Sequence, residues 1–165
     1  MSTNKTRTRT ASIAVAAVAI ATATLGGCAA ARGESRGTAG ERVEILELKV
    51  ENTHYQAVDL APPGVSLGDL DVFAGTARKD GREVGRGGGS CQTIHVEGDD
   101  VSMQCVLTME LERGSVTMQS VWTRGENPLD MAITGGTGDY RTARGIVRFW
   151  DIATPNERVR AEIIR

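Results

Sequence analysis

Aromatic side chains are scarce in this chain: Trp, Tyr and Phe occur twice each, 4% of the 165 residues. Histidine is equally rare, and neither His54 nor His95 has a carboxylate or cysteine partner at ligand spacing. They read as surface or strand histidines, so no Ser-His-Asp arrangement can be assembled. No apolar run reaches the roughly 20 residues that a membrane-crossing helix needs. Positive charge is not in excess either, with 19 basic against 21 acidic residues, which makes nucleic acid a poor partner. The glycine-dense stretch Leu129 to Val147 lacks what a phosphate loop requires. Asp139 and Tyr140 follow Gly138 where a Walker loop has Lys and Ser or Thr, and Arg141 stands where a dinucleotide fingerprint has its third glycine. Nothing in the sequence calls for a cofactor, and nothing provides a metal-ligand set.

Residues Met1 to Gly27 have the form of an export signal. Lys5, Arg7 and Arg9 form a positive start, Ala11 to Leu25 is an apolar run without a charge, and Leu25-Gly26-Gly27-Cys28 follows. That ending is similar to a bacterial lipobox, in which the cysteine is lipidated and becomes the new N-terminus. The expectation is a lipoprotein anchored in the membrane through Cys28, with its domain on the extracytoplasmic side. An ordinary cleaved signal is the other reading. The basic residues are not adjacent, so twin-arginine export has no support. Cleavage leaves 138 residues carrying 16 basic and 21 acidic groups, a net charge of −5, which suits one domain with one core. Ala29 to Arg42 has no hydrophobic period and reads as a tether reaching about 20 Å as a random coil.

With Cys28 assigned to the anchor, Cys91 and Cys105 remain. An oxidising location allows them to pair. The turn signal Gly98-Asp99-Asp100 lies midway between them, and a hairpin closing there sets them opposite each other. A pair of buried free thiols is the alternative. Without ligand-spaced histidines, two cysteines do not make a zinc site.

From Arg42 onward the periodicity is that of strands. Val43 to Val50, a short Tyr55 to Leu60, Leu70 to Arg78, Cys91 to Val96, Val101 to Leu111, a strand through Val116 to Trp122, Leu129 to Thr134, Ala143 to Ile152 and Val159 to Ile164 are the expected elements. The alternation is cleanest in Val101, Met103, Cys105, Leu107, Met109 and Leu111. In the first strand Leu46, Leu48 and Val50 share one face, and Val43, Ile45, Glu47 and Lys49 the other. Arg82 to Ser90, with four glycines, reads as a mobile loop. Trp122 and Trp150 read as core or rim packing, with lining of a lumen as the minority reading. Short strands joined by tight turns make an all-β sandwich or a closed barrel, between which periodicity does not choose.

Three phrases carry a family resemblance. Ala132-Ile133-Thr134-Gly135-Gly136-Thr137-Gly138 with Tyr140 and Ala143-Arg144-Gly145 resembles the signature shared by allene oxide cyclases and dirigent proteins. Ser66-Leu67-Gly68-Asp69-Leu70 resembles a phrase of the cyclases, and Gly89-Ser90-Cys91 stands where they carry glycine-x-cysteine. In order, these cover roughly Val43 to Ile164 and are most similar to bacterial, allene oxide cyclase barrel-like members. The resemblance implies an eight-stranded antiparallel β-barrel, often trimeric, with a hydrophobic lumen. Plant cyclases close an unsaturated fatty-acid epoxide into a cyclopentenone without a cofactor, using a glutamate, an asparagine two residues later and a pocket-shaping cysteine. Carried over, the catalytic glutamate aligns with Glu47, the asparagine position with Lys49 and the pocket cysteine with Cys91. An ammonium at Lys49 can face an oxyanion but does not hold a water as the asparagine does. Dirigent proteins use an arginine, which aligns with Arg144. A solvated face position for Glu47, and pairing of Arg141 and Arg144 with Asp139 around the turn, are the competing readings.

The function expected is therefore a lipid-anchored barrel that binds a small hydrophobic molecule and isomerises or cyclises it. The alternative is a non-catalytic binding or structural envelope module whose barrel is filled.

Overall fold

The computed structural model describes residues 41–165. Cys28, the export signal and all of the tether but its last two residues lie outside them. The described chain is a closed barrel of eight antiparallel strands, each bonded to its neighbour in sequence and the last to the first. In chain order these are β1 (Val43–Val58), β2 (Leu70–Lys79), β3 (Arg82–Glu97), β4 (Asp100–Leu111), β5 (Gly114–Thr123), β6 (Leu129–Gly136), β7 (Arg144–Trp150) and β8 (Arg158–Ile164). A barrel leaves no edge strand unpaired, and inward and outward residues alternate along every strand.

Two elements differ from the sequence reading. β1 is one strand of 16 residues rather than two. Its pairing with β2 shifts between Asn52 and His54, and such a bulge reverses which residues face inward. Leu46, Leu48, Val50 and Asn52 point in before it, whereas Tyr55 and Ala57 border the lumen beyond it. That reversal breaks the alternation and makes one strand read as two.

The glycine-rich Arg82 to Ser90 is not a mobile loop but the first half of β3, paired with β2 on one side and β4 on the other. Its glycines allow close approach. A Cβ at Gly87 would lie 2.6 Å from the Thr108 carbonyl oxygen, and one at Gly88 2.6 Å from that of Phe73. Strands this tightly coiled leave no room for side chains there.

One end of the barrel is packed shut. Leu48, Val116, Met118, Val147, Val159, Ala161 and Ile163 are all buried. The turn Gly138–Tyr140 lies across this end, its Asp139 N–H donating to the Arg113 carbonyl. Tyr140 is buried with the Arg113 and Arg165 guanidinium groups each 5.5 Å from its ring. Both arginines reach Glu44, at 2.5 and 2.6 Å. The glycine corner is thus a plug at the closed end. The functional question moves to the other end.

Candidate functional site

The far half of the barrel holds a cavity of about 790 Å³, a size suited to one small molecule. The filled barrel expected by the alternative reading is therefore not what this end contains. Phe73, Leu107, Trp122, Leu129, Met131, Phe149 and Ile152 make its walls apolar. Four of the six aromatic residues in the chain, Tyr55, Phe73, Trp122 and Phe149, border it. A narrow extension of about 60 Å³ continues inward past Gly87 and Gly88 towards Met109 and Met118.

At the junction of the two spaces stands Glu157, which is 6% exposed. It precedes β8 at the end of a turn in which Asp151 and Ala153 take left-handed φ of 55° and 59°. The Glu157 carbonyl accepts the Val50 N–H at 2.9 Å, locking this residue to β1. On the side chain, Asn52 Nδ2 donates to Oε2 at 2.7 Å and the Ala153 N–H donates to the same oxygen at 2.9 Å. Oε1 has no partner among the described residues. Burial pushes the Glu157 carboxyl above the usual carboxylate range, against the lowering effect of the two hydrogen bonds. The lumen thus contains a carboxyl group whose pKa is raised, with one oxygen committed to structure and the other unpaired. A carboxylic acid of this kind can donate a proton into an apolar site.

The mouth is polar on one side. Residues 59–69 form a loop clasped by two aspartates: Asp69 accepts from the Leu60 and Ser66 N–H groups and the Ser66 hydroxyl, and Asp59 accepts from Gly64 at 3.1 Å. These donors, the backbone ones foremost, hold the Asp69 carboxyl below its ordinary range. The Ser66–Leu70 phrase therefore builds the loop at the mouth. Asp71 accepts the Tyr55 hydroxyl at 2.8 Å and faces Arg124 at 3.6 Å; the hydrogen bond to Asp71 raises the Tyr55 pKa.

The residues picked out by sequence fall in different places. Glu47 lies on the outer wall, its side chain 74% exposed and 3.6 Å from Arg160. Lys49 is on the same outer face, and the two border a surface groove with Trp150 and Arg158 rather than the lumen. Their parity decides this, since they alternate with inward Leu46, Leu48 and Val50. Cys91 does border the lumen, joined to Cys105 in a disulfide between paired positions of β3 and β4. Arg144 is exposed and pairs with Glu41 instead of reaching the cavity. Trp122 lines the lumen, with its indole N–H on the Glu126 carbonyl; Trp150 lies outside beneath Arg158. Sequence reading missed Asn52 and Glu157, although both were within reach of parity. Asn52 is in phase with Leu46, Leu48 and Val50, and Glu157 with Val159, Ala161 and Ile163. Among the described residues no cluster of three or more His, Cys, Asp or Glu is placed to hold a metal ion.

Residues 46–164 match the model of the allene oxide cyclase barrel like domain. The chain belongs to that family. Among solved structures, this barrel-domain protein is similar to a pyocyanin demethylase at 33% identity, over 73% of this chain and 99% of that one, with a TM-score of 0.69. It shares its fold with the Diels-Alderase AbmU from Streptomyces koyangensis, at 17% identity over 74% and 62% of the two chains and a TM-score of 0.58. It shares it also with the pterocarpan synthase dirigent protein PsPTS1, at 18% identity over 74% and 94% and a TM-score of 0.57. No curated protein matches the barrel-domain chain.

Proposed function

We propose that this protein is an exported barrel, lipid-anchored through Cys28, that takes one small, flat, largely apolar molecule into its lumen and transforms it there by proton transfer, without a bound cofactor. Isomerisation and cyclisation are reactions that such a transfer can start. The observation that carries the reading is Glu157, a nearly buried acid with an unpaired oxygen on the wall of an otherwise apolar cavity. Its pKa is pushed up by burial, the direction that favours the protonated, donating form. Asn52 fixes the rotamer without occupying Oε1. The aromatic lining suits a planar ring system, and the 33% identical relative is a pyocyanin demethylase, which makes a fused nitrogen heterocycle the first substrate class to try.

We infer that the barrel assembles as a homotrimer through an uncharged part of its outer wall. Val72, Ser90, Val106 and Gln119 lie in one row across β2 to β5, with Gln104 and Val121 beside them, and none of the six is charged. Light scattering of the processed chain reads this directly; a monomer at micromolar concentration would remove the trimer. Cys28→Ser should move the protein out of the membrane fraction, and unchanged fractionation would remove the anchor.

The experiment for the activity is incubation of the processed chain with pyocyanin, followed by visible absorption and product mass. Conversion by wild type and its loss in Glu157→Gln is the expected result. Binding without conversion would make the protein a carrier, and neither binding nor conversion of pyocyanin or an unsaturated epoxide would overturn the lumen as a ligand site.

A further inference from the structure

Resting on the ring-binding reading of the lumen, we propose that its ligand is a planar aromatic ring system bearing a delocalised positive charge. Four acidic residues, Asp59, Asp69, Asp71 and Glu157, border the cavity against one basic residue, Arg124. Their environments do not cancel. Arg124 and Asp71 face each other at 3.6 Å and offset one another. Asp69 is fixed by three donors that carry no charge, and Asp59 has one N–H, from Gly64. Two unmatched negative charges therefore remain at the mouth even with Glu157 neutral. The walls of a cleft with low-dielectric surfaces concentrate such a field rather than dissipate it.

A second observation points inward. Glu157 is more than nine-tenths buried, yet Oε1 has no donor among the described residues, while both available donors crowd onto Oε2. The lumen thus presents an unpartnered carboxyl oxygen in addition to the charge at its mouth.

The chemistry of the walls then selects among cations. A compact ammonium or metal ion would lose its hydration against Phe73, Trp122 and Phe149 with too few oxygens to replace it. An N-alkylated aza-aromatic cation is weakly hydrated because its charge is spread over the rings. It stacks on aromatic faces and gains from their quadrupoles as well. An anionic ring would meet the unmatched aspartates, and a neutral one would gain nothing from them.

Isothermal titration of the processed chain with 10-methylacridinium and with acridine above its pKa separates these cases, because the two rings are of nearly equal size and differ in charge. The expected result is an affinity for the cation at least about fivefold higher at low salt, narrowing as salt rises. Asp59→Asn keeps an acceptor for the Gly64 N–H and should lower the cation-to-neutral ratio. Arg124→Gln should raise it. Acridine bound as well as the cation, or a ratio indifferent to both substitutions, would overturn the charge preference and leave the ring-binding lumen standing. Failure of both rings to bind would overturn the lumen reading and this inference together.

Discussion

Removing the Cys91–Cys105 crosslink should cost the barrel about 3 kcal/mol. The two cysteines are 14 residues apart, and closing a loop of that size restricts the unfolded chain by about that amount in the chain-entropy treatment. Alanine is the right replacement. Cys105 is fully buried and Cys91 nearly so, and serine hydroxyls there would lack partners. The sulfur atoms border the lumen, so their loss widens an existing cavity instead of opening a sealed one, and the packing cost falls at the low end for core truncation. Unfolding entropy of about 2.1 cal/mol/K per residue over a barrel of about 120 residues makes 3 kcal/mol equal to a fall of roughly 12 °C in Tm. Calorimetry of Cys91→Ala/Cys105→Ala beside the oxidised wild type measures it. Urea melts should show a larger m-value for the variant, because an uncrosslinked unfolded chain exposes more surface. A fall of less than about 4 °C with an unchanged m-value would refute the reasoning, since the hairpin would then be as constrained without the bond as with it.

Glu157 and Gly89 supply the other predictions. Because the folded-state pKa of Glu157 is raised, the native protein binds more protons than the unfolded chain above the ordinary carboxylate range. Its contribution is fully present below the unfolded pKa and is lost as pH rises through the folded one. Glu157→Gln should therefore gain stability relative to wild type as pH rises from about 4 to 8, measured as the difference in Tm. Subtracting the two curves cancels the carboxylates with lowered pKa, Asp69 and Asp130, which act in the opposite direction. A difference that is constant with pH would mean that Glu157 is not desolvated. Gly89→Ala would drive a Cβ into the Val106 carbonyl and the Leu107 backbone, and should destabilise by roughly 2 kcal/mol or more. A chemical melt within about 0.5 kcal/mol of wild type would restore the loop reading of this segment.

Binary patterning made most of the barrel legible. The strict alternation from Val101 to Leu111 predicted the inward face of β4 residue by residue, because a half-buried strand has a period of two whatever it packs against. The turn midway between Cys91 and Cys105 predicted their pairing for the same local reason. Two stretches resisted. β1 carries a bulge that reverses its phase, and pattern alone cannot distinguish a reversed strand from two strands. In β3 the glycines that look like a loop are there because neighbouring backbones pass too close for a Cβ, a fact about β2 and β4 rather than about β3.

The site divides along the same line. The sequence by itself determined most of the barrel's strands, the disulfide partners and the side of β1 on which the residues from Val43 to Val50 stand, since these follow from local period and turn chemistry. It also contained the parity that turns Glu47 and Lys49 outward and Asn52 and Glu157 inward. Only the tertiary structure decided that one end of the barrel is plugged by Tyr140 and its arginines while the other is open. Only closure of the sheet brought Asn52 of β1 against Glu157, 105 residues later. A carboxylate's protonation depends on how much water and charge surround it, and that is settled by which strands meet around it.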